Sequence, residues 1–332
     1  MIPTRQAAIR RMAAAAAVLA GLPALAGCSP AGPTPTPVPS SSIPARPVVV
    51  GATDTAEGQI LAELYSGALQ AAGLKSSVKT GVGGRAASLE ALKSGAVQLV
   101  PTYTGGLLRA LGTTAKDTGD DTVRAAAVAA LTKPVTALDA SGAQDREVIV
   151  VTKVTAERYQ LKSLSDLGKV CSQTTFAAPA DFSSDPYGGV ALKGDYSCTP
   201  KKTVTYGVTS GPDGGPTVPA ADADNRYTIP QPLKALLQDD VQVAVMLSTD
   251  PAIADNDLVV LDDDKKALLP EQVLPLVDGI LLPAQARDVI NSLSRTLTSD
   301  DLVQMNRAIQ GDQAGTPHDV AGAWLQDKGI LK

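Results

Sequence analysis

The chain contains one histidine, three cysteines, two phenylalanines and one tryptophan, and aromatic residues occupy only 3% of its 332 positions. So little histidine and cysteine leaves no basis for a Ser-His-Asp triad, a Cys-His pair or a histidine-based zinc site. His318 falls in the first turn of a surface helix and reads as exposed scaffold. No catalytic residue, metal or cofactor is expected, and the chain does not read as an enzyme. Gly81-Val82-Gly83-Gly84 precedes a helix, but no Lys-Ser/Thr pair follows it, which excludes a phosphate loop of the NTPase type. It reads as a tight turn, or else as backbone that a bound group can approach closely, with Arg85 beside it. Asp262-Asp263-Asp264 is a carboxylate run, but consecutive side chains cannot all face one ion, so it reads as a solvated turn. Positive charge is not in excess: 29 Lys and Arg stand against 34 Asp and Glu, and the net charge of -5 is well mixed. That argues against a nucleic-acid partner, which would require a basic face.

Long apolar runs are also missing. Met12 to Leu25 is Ala/Leu-rich, too short and too Ala-rich for a good spanning helix, and follows the positive Arg5, Arg10 and Arg11. It ends Leu25-Ala26-Gly27-Cys28, which reads as a lipoprotein signal over residues 1–27, cleaved before an acylated Cys28. The alternative is an ordinary secretory signal with a chance cysteine. Two or three acyl chains, each buried methylene contributing about 0.8 kcal/mol, would anchor the protein to the outer face of the cell membrane. Residues 28–47 are rich in Pro, Thr and Ser, cannot build a core and read as a tether.

Beyond the tether, about 285 residues suffice for two lobes. Val48-Val49-Val50 is a short β-branched run suited to a buried strand. Asp54 is expected to cap the next helix, with Glu57 closing a capping box. Ile60, Leu61, Leu64, Tyr65, Ala68, Leu69 and Ala72 then recur at helical spacing, and Gly73 stops the helix. Ser88 starts a shorter helix with Leu89 and Leu92, and Val97, Leu99 and Val100 form a strand running to Thr104. The alternation predicts a parallel sheet covered by helices, with Ala52–Glu57, Gly81–Arg85 and Thr102–Gly105 as loops beyond its carboxyl ends, where ligands bind in such sheets. Further helices, strands and caps follow: Val123–Leu131, Val135–Asp139, Val148–Val151, a capping box at Ser163 and Asp166, Thr298 with Asp301, and Thr316 with Pro317 in the first turn. A first crossing between lobes is expected near Ala140–Asp145 and a return at Leu247–Pro251. Ser210–Asn225 reads as a mobile loop. Cys171 and Cys198 are the pair left once Cys28 is lipidated and read as a disulfide, the alternative being two free buried thiols.

Several segments carry a family resemblance. Ile60-Leu61-Ala62-Glu63-Leu64-Tyr65, Ala91-Leu92-Lys93-Ser94-Gly95, Tyr103-Thr104-Gly105, Ser163-Leu164-Ser165-Asp166-Leu167, Leu247-Ser248-Thr249-Asp250, Asp257-Leu258-Val259-Val260-Leu261 and Leu297-Thr298-Ser299-Asp300-Asp301-Leu302 follow one another in the order and spacing seen in one family. In these the chain resembles the substrate-binding proteins of glycine betaine/choline/carnitine (osmoprotectant) ABC importers over most of its length after residue 48. The resemblance implies an α/β, two-lobe periplasmic-binding-protein (Venus-flytrap, type II) fold with two crossover strands. Lobe I is expected over 48–140 and 251–332, and lobe II over 141–250. The implied function is capture of a compatible solute of the glycine betaine, choline, carnitine or proline-betaine type between the lobes. Delivery to the permease and ATPase subunits of an importer follows, by a lipid-anchored monomer. Alternatives are the same fold binding a hydroxyl-rich or polyphenol-like ligand, and an interaction lipoprotein no longer used in transport.

The family holds a quaternary ammonium by aromatic faces, each contributing about 0.5–2 kcal/mol. Carried over by position, Tyr103 and Thr104 match its Tyr-Thr-Gly ligand loop, Tyr187 offers an aromatic from the second lobe, and Thr249 and Asp250 sit at the expected return crossing. Arg85 would meet a carboxylate. The common Asn-Phe of the first loop is replaced by Asp54 and Thr55, and the Asn-Thr-Tyr of the first crossing by Ala143-Gln144-Asp145. Two aromatic walls are therefore expected to be absent, with Asp54 and Asp145 facing a cation as direct charges or bonding the hydroxyls of a neutral ligand.

Overall fold

The computed structural model describes residues 46–205, 209–210, 216–217, 231–310 and 314–331. The expected lipoprotein signal, Cys28, most of the expected tether and most of the expected Ser210–Asn225 loop lie outside these residues. The first part of the chain runs β1 (Val48–Gly51), α1 (Ala56–Ala71), β2 (Ser76–Lys79), α2 (Arg85–Lys93), β3 (Leu99–Tyr103), α3 (Thr104–Ala110), α4 (Asp120–Ala129) and β4 (Val135–Ala137). The spacing that predicts α1 is its buried face: Ile60, Leu61, Leu64, Tyr65, Ala68 and Leu69 are all within 3% of full burial. Each such large side chain contributes roughly 1.5–3 kcal/mol by leaving water. Gly73, at φ 79°, ends the helix by letting the Leu74 N–H turn back to the Leu69 carbonyl. The second helix begins at Arg85, one turn earlier than expected, because Gly84 takes the N-cap position.

The chain then builds β5 (Glu147–Val151), α5 (Lys153–Tyr159), α6 (Leu164–Val170), β6 (Thr175–Ala178), α7 (Gly189–Tyr196), β7 (Lys202–Thr205), the two-residue strands β8 (Thr209–Ser210) and β9 (Pro216–Thr217), α8 (Gln231–Leu237), β10 (Val243–Leu247), α9 (Ala252–Asp255) and β11 (Val259–Val260). It closes with β12 (Val273–Asp278), α10 (Ala284–Thr296), α11 (Ser299–Ile309) and α12 (Pro317–Asp327). The capping boxes of α6, α11 and α12 form at Ser163/Asp166, Thr298/Asp301 and Thr316/Asp319.

Two five-stranded sheets result, ordered β2-β1-β3-β12-β4 and β11-β5-β10-β6-β7. Neither is purely parallel. In the first, β12 inserts antiparallel between β3 and β4; in the second, β5 is antiparallel to both β10 and β11. The pairing of Val259 with Val151 moves β11 out of the first lobe, where it was expected, and into the second sheet. Leu247–Pro251 is therefore not the return crossing. The chain returns just before β12, where Gln272 bridges Gln144 and the Asp145 N–H donates to the Glu271 carbonyl at 3.0 Å. Two antiparallel crossing segments thus run side by side between the sheets. Each sheet is packed on both faces. In the second, Leu164, Leu167, Phe176, Leu192 and the disulfide-bonded Cys171 and Cys198 share one cluster.

Candidate functional site

The amino end of α1, the β3–α3 junction and the two crossing segments converge where the sheets meet. Thr55, not Asp54, caps α1, its hydroxyl accepting the Gly58 N–H at 3.1 Å, while Asp54 is exposed. The expected Asp54/Glu57 capping box does not form because Glu57 turns inward instead. Its Oε1 accepts the Tyr103 hydroxyl, its Oε2 accepts an amide N–H of Asn306 on α11, and the Thr249 hydroxyl lies 2.9 Å from the same Oε2. Thr249, 2% exposed, also places its hydroxyl 2.7 Å from Asp145 Oδ1 and donates its backbone N–H to that atom at 3.2 Å. Asn306 donates to the Thr249 hydroxyl at 3.0 Å. Burial, then the Glu57 charge, holds the Asp145 carboxyl well above the usual range, against the two Thr249 bonds. Burial and the neighbouring Glu57 and Asp145 carboxylates likewise raise the Tyr103 phenol.

A second group of charges lies beside the first. Arg109 on α3 reaches Asp185 Oδ2 at 2.7 Å and Glu271 Oε1 at 3.3 Å, so one guanidinium ties the second lobe's Asp185 loop to the return crossing. Glu271 Oε2 accepts the Gly106 N–H at 2.8 Å. Burial raises the Glu271 carboxyl, opposed by Arg85, Arg109 and the Gly106 and Gly105 amides. Glycine is required at position 105, where a Cβ would sit 2.8 Å from the Pro270 carbonyl oxygen; a Cβ on Gly106 would sit 2.2 Å from Arg85 Nε and would displace that flexible side chain. Arg85 thus lies against the start of α3.

The remaining expected residues fall differently. No loop separates β3 from α3, so Thr104 is buried, donating to the Pro270 carbonyl at 3.1 Å and accepting the Gln272 N–H at 3.0 Å. Both hydrogen-bonding roles of its hydroxyl are used by the return crossing. Asp250 accepts the Ala252 N–H at 2.9 Å and caps the turn into α9; burial raises its carboxyl, opposed by that bond. Tyr187 is half-buried against the first lobe, where its hydroxyl accepts the Ala115 N–H at 3.4 Å. Asp263 and Asp264 each meet different donors, Tyr196 and the Ala267 and Leu268 amides for one, Ser165 for the other. The exposed His318 pairs with Glu63 at 2.9 Å.

Sequence reasoning missed Glu57 as an inward carboxylate, Arg109, Asp185, Glu271, Asn306 and Glu147. Glu147, the first residue of β5, lines a cavity with Ile149, Leu261 and Leu268. Burial pushes its carboxyl up to about 7, with Arg109 opposing and Asp185, Asp181 and Glu271 adding to the rise. Because the folded value lies above the ordinary one near 4.5, the stability this group supports is fully present at lower pH and is lost as pH rises towards 7. Glu147→Gln is expected to flatten that slope, raising stability at pH 8 by on the order of 2 kcal/mol while changing little at pH 4. Urea unfolding at both values checks this; an equal change at both would show that ionisation of Glu147 is not involved.

The arrangement has two acids, Glu57 and Asp145, with a tyrosine on one side, and two arginines around Glu271 on the other. Residues 46–327 match the family model described as the substrate-binding domain of ABC-type glycine betaine transport systems. Among solved structures, a glycine betaine/carnitine/choline ABC transporter protein is similar at 21% identity and TM-score 0.71, over 86% of this chain and 99% of that one. YehZ from Escherichia coli is similar at 22% identity and TM-score 0.66, over 86% and 100% of the two chains. Lactococcal OpuAC, closed around glycine betaine, is similar at 15% identity and TM-score 0.53, over 86% and 100%. At these identities the structures show a shared two-lobe α/β fold. The match of the family model over nearly all the described residues shows more: the chain belongs to the family of extracytoplasmic substrate-binding domains of glycine betaine-type ABC importers, a class of transport proteins rather than enzymes.

Proposed function

We propose that this chain is a lipid-anchored, monomeric binding protein, tethered through Cys28. It captures a small compatible solute of the glycine betaine, choline, carnitine or proline-betaine type between its lobes and delivers it to the permease and ATPase subunits of an importer. The observation that carries the reading is the charge separation at the junction of the sheets. Glu57 offers an ammonium group negative charge and Tyr103 one aromatic ring, with the Asp145 carboxyl beside them as a hydrogen-bonding partner, while Arg85 and Arg109 stand by Glu271 on the side where a solute carboxylate would be favoured. Direct charge, from Glu57 rather than from the exposed Asp54, replaces much of the aromatic box, since Tyr187 is engaged with Ala115. A second reading, a hydroxyl-rich solute, is favoured by the same feature, because carboxylates and the Thr249 hydroxyl also suit hydroxyl partners.

Thermal melting of the full chain against glycine betaine, choline, carnitine, proline betaine and a set of polyols and polyphenols separates the two. A bound solute at about 100 times its dissociation constant should stabilise by roughly 2.7 kcal/mol, a rise of several degrees. A rise with the quaternary amines supports the first reading. A rise confined to hydroxylated compounds replaces it with the second, and no rise with any compound in the panel rejects both.

A further inference from the structure

The Thr249 hydroxyl has one proton to donate and two lone pairs to accept with. It has three close neighbours: Asp145 Oδ1 at 2.7 Å, Glu57 Oε2 at 2.9 Å and the Asn306 amide nitrogen at 3.0 Å. Asn306 fills one lone pair. If both carboxyl groups were ionised, the single hydroxyl proton could serve only one of them, and the other contact would set two oxygen lone pairs against each other beside the buried Thr249. Adding one proton to the pair resolves the count. One carboxyl then donates to the remaining Thr249 lone pair, and Thr249 donates to the other carboxylate.

We infer that Glu57 and Asp145 form a binding site for one proton, held between them through Thr249 at the junction of the lobes. The proton rests on Asp145. Glu57 already receives the Tyr103 hydroxyl, an Asn306 N–H and the Thr249 hydroxyl, three donors that stabilise a charged carboxylate, whereas among the described residues Asp145 has only the Thr249 backbone N–H besides. The titratable groups around the pair are Tyr103 from β3 and Glu271 from the return crossing, and both add to the rise of the Asp145 carboxyl or share it. No arginine or lysine bonds the pair directly among the described contacts; Arg109 is engaged with Asp185 and Glu271. The relay joins α1 and α11 of the first lobe to the first crossing and the turn after β10.

The existence of the site is tested without any solute, so its failure is distinct from failure of the solute-binding reading. Carboxyl-labelled carbon-13 NMR follows the titration of the ligand-free full chain in a Glu147→Gln background, which removes one other raised acid, while spectra of Glu271→Gln and Asp250→Asn assign the two further raised carboxyls so that they are set aside. One remaining carboxyl is expected to titrate well above the ordinary carboxylate range. It should vanish in Asp145→Asn and move back towards the ordinary range in Glu57→Gln, where the neighbouring charge is gone. If every remaining carboxyl titrates in the ordinary range, or if the high one survives Asp145→Asn, the site does not exist. An unchanged titration in Glu57→Gln shows a solitary buried acid and equally overturns the shared site.

Discussion

Replacing Arg109 by alanine is expected to lower the unfolding free energy by about 2–4 kcal/mol, because it leaves Asp185 without its counter-charge and Glu271 with Arg85 and the Gly105 and Gly106 amides alone. The Asp185 and Glu271 side chains are only 15% and 9% exposed, so water replaces the guanidinium poorly, although 27% exposure of Arg109 itself keeps the loss below that of a fully buried pair. Asp185→Asn and Glu271→Gln should each cost less than Arg109→Ala, and each should couple to it in a double-mutant cycle. Arg109 also opposes the rise of the Glu147 carboxyl, so its removal should push that group higher still and steepen the loss of stability towards alkaline pH. The same bond joins the Asp185 loop to α3 across the junction, so solute affinity should fall as well. Urea unfolding at pH 5 and 8, with and without solute, measures all three effects. Loss of affinity for carboxylate solutes alone, with stability and pH slope unchanged, would instead make Arg109 a direct solute contact.

Thr104→Val is expected to destabilise by about 2–4 kcal/mol despite nearly equal volume. The valine leaves the Pro270 carbonyl and the Gln272 N–H unpaired at a fully buried position. Thr104→Ser should restore most of the loss, since the hydroxyl alone makes both bonds. Thermal melting of the two variants decides the matter. Full stability of Thr104→Val combined with lost solute binding would return Thr104 to the ligand-contacting role that its Tyr-Thr-Gly context implies. Both substitutions act on the return crossing, one through Glu271 and the other through the residues on either side of it.

Local signals in the chain were legible wherever neighbours in sequence settle the structure. The Ser163/Asp166, Thr298/Asp301 and Thr316/Asp319 boxes form within four residues, and the buried stripe of α1 follows from its own spacing. The apparent box at Asp54 and Glu57 failed for an instructive reason. Glu57 has stronger partners in Tyr103, Thr249 and Asn306, which are 46, 192 and 249 positions away, and no local pattern announces them. The two-residue strand β11 was likewise placed with the wrong lobe, because Val259-Val260 pairs equally well with any apolar edge until β5 is in position. Tyr103 kept its place at the junction, but as a donor to Glu57; Thr104, adjacent to it, was taken up by the crossing.

The sequence by itself determined the α/β alternation, the helix caps, the cysteine pair and a family resemblance spread along the chain, because propensity, spacing and order are written in contiguous residues. Only the tertiary structure decided which strand joins which sheet, where the chain recrosses, and that Arg109 faces Asp185 and Glu271 while Glu57 faces Asp145. Those pairings follow from burial. Once two crossing segments bring carboxylates together out of water, each must find a donor, a counter-charge or a proton, and which one it finds depends on neighbours far away in sequence.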